Sequence, residues 1–121
     1  RIQKGPQPLV YDSTLSVAAE IRSDEAAVVW SHVRPNGQRG ADLIDRNKWR
    51  GENLAYVTYT YYSGTDSEQI NAANAMFTNL CNSSTHYTNM VFPSFTKIGI
   101  ATSVIPVSNG IRITTACMFS N

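Results

Sequence analysis

Charge of either sign is scarce in this chain of 121 residues, since only 16% are Asp, Glu, Lys or Arg. An ordinary globular protein carries about a quarter. Ten basic side chains stand against nine acidic ones, a net of +1. That balance excludes the clustered basic footprint a nucleic-acid partner needs. Long apolar runs are missing as well. The longest, Ala26-Ala27-Val28-Val29-Trp30, falls far short of the roughly 18 residues of a membrane span. Cysteine occurs twice, at Cys81 and Cys117, and histidine twice, at His32 and His86. Without a C-x-x-C or an H-E-x-x-H, no zinc ribbon, thioredoxin-type dithiol or zincin site is encoded. No G-x-S-x-G elbow, phosphate loop or dinucleotide fingerprint is present either.

What is there is neutral polarity around enough apolar residues for a core. The apolar fraction is 42%, close to the globular average. A chain of this length makes one domain that buries about two-thirds of its unfolded surface. Disorder, which needs low hydrophobicity and high charge, is excluded. Ser, Thr and Asn fill 33 positions, while Lys stands only at 4, 48 and 97. A surface of hydroxyls and amides suits an extracellular protein. The first residue is Arg1 rather than Met, so we expect a trimmed or processed fragment, in which a missing signal peptide is uninformative.

Residues 1–8 hold two prolines and a glycine and are expected to be an extended lead-in to a single domain over 9–121. Asp12 or Ser13 offers an N-cap. Leu15, Ala18, Ala19, Ala26 and Val29 then share one stripe of a 3.6-residue period, predicting a helix from about Thr14 to the late twenties. On it Arg22 and Glu25 sit three apart and can pair, worth a few tenths of a kcal/mol if solvated. Arg34-Pro35-Asn36-Gly37 has type I turn chemistry, and a short helical turn is expected around Ala41–Asp45. Tyr56–Tyr62, rich in Tyr, Val and Thr, reads as extended. Thr65 and Glu68 form a capping-box pattern ahead of a second helix to about Asn82, with Ile70, Ala73, Phe77 and Leu80 on its apolar face. Pro93 breaks the next stretch. Thr96–Ile105 and Ile111–Phe119 are β-branched runs around Asn109-Gly110, a hairpin signal. Helices first and antiparallel strands last predict an α+β fold.

His32 and His86 sit at predicted helix ends, and imidazole is the usual neutral-pH ligand and proton carrier. Spacing does not join them. Glu52, between Gly51 and Asn53, reads as a solvated loop carboxylate unless folding brings it to a histidine. The cysteines leave two readings open: buried thiols, or a disulfide closing a loop of roughly forty residues, worth about 3–4 kcal/mol. Asn82-Ser83-Ser84 matches an N-glycosylation acceptor.

Four segments carry a family resemblance when taken in order: Ser31-His32-Val33-Arg34-Pro35-Asn36-Gly37, Gly51-Glu52-Asn53-Leu54-Ala55, Asn82-Ser83-Ser84-Thr85-His86 with Asn89, and Phe95-Thr96-Lys97-Ile98-Gly99-Ile100-Ala101. Together they resemble the CAP superfamily of cysteine-rich secretory proteins, venom antigen 5 and group 1 pathogenesis-related proteins, in its bacterial, SCP-like extracellular branch. The resemblance runs from about Pro8 to Phe119. It implies an α-β-α sandwich around a three-stranded antiparallel sheet, and export to the cell exterior or cell wall. It also implies a cleft of two His and two acidic residues that holds a divalent metal in several members. Carried over, the cleft residues are His32, Glu52 and His86, with Asn53 and Ser83 as neighbours. Ser83 stands where the second acid would be, and Leu80 where the bacterial branch commonly has Trp.

The function this implies is a secreted binding or effector module without established catalysis, whose cleft takes a divalent ion such as Zn or Ca through His32 and His86. Glu52 would lie behind the histidines or act as a third ligand. The partner would be an extracellular protein, glycan or lipid. One alternative is a divalent-metal-dependent hydrolase, peptidase-like, in which Glu52, His32 and His86 are catalytic. The other is a lipid or sterol carrier, for which Tyr59–Tyr62 is the only candidate segment.

Overall fold

The computed structural model describes residues 7–121; most of the expected lead-in, residues 1–6, lies outside them. The elements in chain order are β1 (Val10–Tyr11), α1 (Ser13–Val28), a 3₁₀ turn (Gly40–Leu43), β2 (Arg50–Tyr59), α2 (Asp66–Asn82), α3 (Ser84–Val91), β3 (Lys97–Val107) and β4 (Gly110–Ser120). The sheet has the order β1-β3-β4-β2. The long strands β3, β4 and β2 pair antiparallel and supply the expected three-stranded sheet. The two-residue β1 adds a fourth, parallel strand beside Lys97 and Ile98. The α+β class holds, and the sheet is mixed rather than purely antiparallel. Among the described residues no helix is long and apolar enough to cross a membrane.

Alternation along each strand sends successive side chains to opposite faces, and each face acquires its own core. Against α1 lie Leu54, Ala116 and Met118, packed on Leu15, Ala18, Ala19 and Ala26. Against α2 lie Ala55, Ile113, Cys117 and Phe119, packed on Ala72, Met76 and Leu80. The small alanine stripe of α1 lets that helix sit close to the sheet. At Gly99 the approach is so close that a Cβ would run into the backbone of Leu15.

Local chemistry sets the helix ends. The Asp12 side chain accepts from the Leu15 amide at 2.9 Å, so Asp12 rather than Ser13 is the cap of α1. Thr65 accepts from the Glu68 amide at 3.3 Å, while Glu68 accepts from the Thr65 amide at 3.1 Å, completing the capping box of α2. The amide of Gly37 donates to the Arg34 carbonyl at 2.9 Å, closing the turn read from the sequence.

Several expectations are corrected. Val29 is an exposed residue at the C-cap of α1, not part of its buried stripe. On α2 the buried positions are Ala72, Met76 and Leu80, whereas Ile70 and Phe77 are exposed. The helix meets the sheet along that i, i+4 row, and no other element covers the flank carrying Ala73 and Phe77. The hairpin turns at Ser108-Asn109, with Gly110 already paired to Val107 as a strand residue. The second helix ends at Asn82 as expected, and an unanticipated helix, α3, follows it directly across Ser83, the cap residue they share. The strand expected over Tyr56–Tyr62 starts earlier, at Arg50, and stops at Tyr59. Cys81 and Cys117 carry free thiols. Burial pushes the Cys117 thiol up to about 12.

Candidate functional site

Because β2 begins at Arg50, Glu52 is a strand residue on the α1 face, and not a loop carboxylate. Its side chain is 4% exposed. A bare buried carboxylate would be prohibitively costly, and this one is paired on both oxygens. Arg22 Nε donates to Oε2 at 2.6 Å, and His32 Nδ1 lies 2.7 Å from Oε1. Arg22 itself is 1% exposed. Its remaining N–H groups donate to the Ser31 carbonyl at 2.5 Å and to Glu25 at 2.9 Å. Glu25 in turn binds Arg34 through two near-parallel bonds of 3.0 Å each. The expected Arg22–Glu25 pair forms, as part of a four-residue chain, Arg34–Glu25–Arg22–Glu52, that is buried at its Arg22–Glu52 end and half-buried at the other. It ties the end of α1 and the Ser31–Gln38 loop to the sheet.

The electrostatics follow from this geometry. Burial pushes the Glu52 carboxyl up, but hydrogen bonds from His32 and Arg22 outweigh it and hold it below the ordinary carboxylate range. Burial likewise works against the Arg22 charge, and its bonds to Glu52 and Glu25 more than offset that. An ionised Glu52 accepts the Nδ1–H of His32 and so fixes the ring's tautomer, leaving Nε2 as the lone pair of the neutral imidazole. The His32 side chain is 45% exposed, so that lone pair is reachable from solvent.

The second histidine arrives from the other side of the strand. Asn53, alternating to the opposite face from Glu52, is fully buried. Its Nδ2 donates to the His86 carbonyl at 3.0 Å, and its Oδ1 accepts from Asn89 Nδ2 at 2.9 Å. Two bonds from one buried amide thus dock α3 on β2. An aromatic ladder holds the segment after α3: Trp49 with Phe92 at 5.4 Å, Phe92 with Phe95 at 4.9 Å, and Phe95 with Phe119 at 5.4 Å. Burial depresses the half-buried His86 imidazole below its ordinary value, and the nearby His32 adds to the effect.

His32, Glu52 and His86 line one cavity of about 350 Å³, together with Arg39, Gly40, Arg50, Thr85 and Asn89. Gly40 is required by proximity, since a Cβ there would run into Glu52 Oε2 and Arg22 Nε. Among the described residues no group of three or more His, Cys, Asp or Glu is arranged to hold a metal ion. With both Glu52 oxygens hydrogen-bonded, the nitrogen ligands lining the cavity are the two imidazoles, beside the side-chain oxygens of Thr85 and Asn89. Ser83, in place of a second acid, is engaged with Thr85 Oγ1 at 3.3 Å.

Arg22 was not read from the sequence as a site residue, though the signal was available. It falls on the apolar stripe of α1, between Ala18 and Ala26, where a lone charge calls for a buried partner. Arg39, Gly40 and Arg50 carried no such signal, because the chain delivers them from loops and a strand end.

Fold and site together define an α+β domain with a histidine cleft backed by a buried carboxylate–guanidinium pair. The chain belongs to the cysteine-rich secretory protein (CAP) family, whose model matches residues 1–119. Among solved structures it is similar to an outer surface protein from Borrelia burgdorferi, with TM-score 0.65 and 18% identity over 96% of this chain and 79% of that one. It is also similar to manganese-bound Ac-ASP-7 (TM-score 0.60, 19% identity, 95% of this chain) and to NaASP2 with Zn2+ (TM-score 0.56, 19% identity, 95% of this chain). The chain spans only 51% and 60% of those two. No curated protein sequence matches it.

Proposed function

We propose that the protein is an exported bacterial CAP domain that acts by binding, with its cleft taking a divalent cation such as Zn or Ca through His32 Nε2 and His86. The observation that carries this is the double engagement of Glu52. A carboxylate held by Arg22 and His32, with its pKa depressed, is a poor general base and already spends a lone pair of each oxygen on the protein. It serves instead to orient His32 and raise its donor strength, as carboxylates behind metal-bound histidines do. Two imidazoles with water completing the shell make a weak, exchangeable site, suited to modulating binding rather than to hydrolysis. Manganese in Ac-ASP-7 and zinc in NaASP2 support the cation class, and the likeness to an outer surface protein of Borrelia burgdorferi supports the extracellular setting. Calorimetric titration with Zn2+, Ca2+ and Mn2+ tests the reading. The wild type should give a one-site isotherm that His32→Ala/His86→Ala abolishes, and identical isotherms for the two would overturn it.

A second reading, lipid carriage, is favoured by one feature. A groove of about 830 Å³ runs between α2 and the outer face of β3 and β4, lined by Tyr62, Met76, Phe77, Ile100, Val104 and Ile113 among others. Tyr62 belongs to the candidate segment and stacks on Tyr59 at 6.0 Å. Retention of a labelled fatty acid or sterol, lost in Phe77→Asp, would support this reading. Retention no greater than background would reject it.

A further inference from the structure

On the α1 face of the sheet, beyond the cleft lining, a second constellation serves neither the cleft nor the cores. Trp30, just past the end of α1, meets Tyr56 of β2 edge-to-face, with ring centroids 4.7 Å apart and planes at 74°. The Arg112 guanidinium of β4 lies 5.1 Å from the centre of the Tyr56 ring. Both aromatics stand open to solvent, Trp30 at 47% and Tyr56 at 43% exposure.

Arg112 has no carboxylate partner among the described residues. Arg22, Arg34 and Arg50, by contrast, are each ion-paired. Arg112 Nε is buried without a hydrogen-bond acceptor, and so is Oγ1 of Thr114. Thr114 pairs with Tyr56 across the strands and is fully buried. A cation lodged on an aromatic face is partly desolvated, which strengthens an ion pair between its outer, terminal N–H groups and an incoming anion. The hydroxyl of exposed Thr58, paired to Arg112 in register, adds a neutral donor and acceptor beside the cation.

From this juxtaposition we infer that Trp30, Tyr56 and Arg112 form a binding subsite for an acidic glycan, a uronic-acid-type saccharide. The apolar C–H face of a sugar ring lies on the exposed indole, its carboxylate meets the guanidinium fork, and its hydroxyls meet Thr58. An open pair of amphipathic rings suits a saccharide better than an acidic peptide, whose aspartates and glutamates would use the cation and leave the indole unused. The subsite lies on the same strand face as Glu52, four residues along β2, or about 13 Å at strand rise. It is separate from the cleft and does not depend on a metal there.

The test is a calorimetric titration with tetragalacturonate, with chitotetraose as the neutral probe and an aspartate-rich peptide of equal charge as the non-sugar probe. Tetragalacturonate should bind at least tenfold more tightly than either of the others. Arg112→Gln should weaken it at least tenfold and Trp30→Ala at least fivefold, while the zinc isotherm of Arg112→Gln stays as in the wild type. Melting curves establish that each variant folds. Should Arg112→Gln fail to fold, Arg112→Lys replaces it and should still lose at least threefold, because an ammonium lacks the two-pronged geometry. Equal binding of acidic and neutral tetrasaccharides, equal binding of the peptide, no binding, or unchanged affinity in the arginine variants would each overturn the inference.

Discussion

Arg22 and Glu52, thirty residues apart in sequence, form an ion pair of 2.6 Å with both side chains sealed from solvent. Removing one partner strands the other as an uncompensated buried charge, which typically costs about 3–5 kcal/mol. Arg22→Met should therefore lower the midpoint of urea unfolding sharply. Arg22→Met combined with Glu52→Gln should recover part of the loss, since both charges are then gone. A double variant less stable than the sum of the two single losses would contradict this account.

The same pair sets the acid limb of stability. Glu52 and Glu25 are both held below their ordinary value of 4.5 in the folded protein. The unfolded chain then binds more protons than the folded one as the pH drops through and below that value. Their stabilising contribution is fully present above it and is lost as pH falls toward the depressed folded values. His86, also depressed, from 6.5, removes stability in the same direction just below that pH. Urea midpoints should be level between about pH 7 and pH 8 and fall on acidification. Glu52→Gln should flatten the part of the fall below pH 4.5.

Gly40 and Gly99 are predicted to tolerate alanine differently. At Gly40 the new methyl meets side-chain ends, Glu52 Oε2 and Arg22 Nε, whereas at Gly99 it meets the main chain of Leu15 in α1. Gly99→Ala must push a helix off the sheet and should cost several kcal/mol, as overpacked cores do. Gly40→Ala should displace the carboxylate from His32. The sign would be displaced His32 ring resonances by NMR at fixed pH, measured alongside a smaller fall in melting temperature. Equal destabilisation by the two substitutions would refute the distinction.

Thiol chemistry distinguishes the two cysteines. Cys117 is buried, with its thiol raised to about 12, whereas Cys81 is half-buried at the edge of α2. Under native conditions an aromatic disulfide reagent should label Cys81 within minutes and leave Cys117 until the protein is unfolded, when both react. Rapid labelling of both in the native state would mean the α2 face opens far more readily than its packing indicates.

The capping box of α2 offers a small, clean check. Thr65→Ala removes the acceptor for the Glu68 amide and should cost about 1 kcal/mol, read as a modest drop in melting temperature. Thr65→Ser should restore most of it.

Much of the architecture was legible along the chain. Asp12 and Thr65 announced two helices through side-chain oxygens placed to meet amide groups, and Pro35 with Gly37 announced a turn through backbone preference. The β-branched runs of β3 and β4 announced a hairpin. What misled was periodicity without a partner surface. Ile70 and Phe77 look like a buried face, yet the sheet meets α2 along Ala72, Met76 and Leu80. The motif residues His32, Glu52 and His86 were legible only as a family pattern, since nothing in their spacing places two such distant imidazoles at one cavity.

Local interactions, those reaching three or four residues, were thus decided by the order of amino acids alone: the capping box of α2, the Arg34–Gly37 turn and the strand runs of the hairpin. Tertiary structure decided which charges are buried and what each one faces. The alternation of β2 sends Glu52 to Arg22 and His32 on one face, and Asn53 to His86 and Asn89 on the other. A carboxylate's solvation, and so its chemistry, depends on neighbours that only the closed sheet and its two helical layers bring within hydrogen-bonding distance.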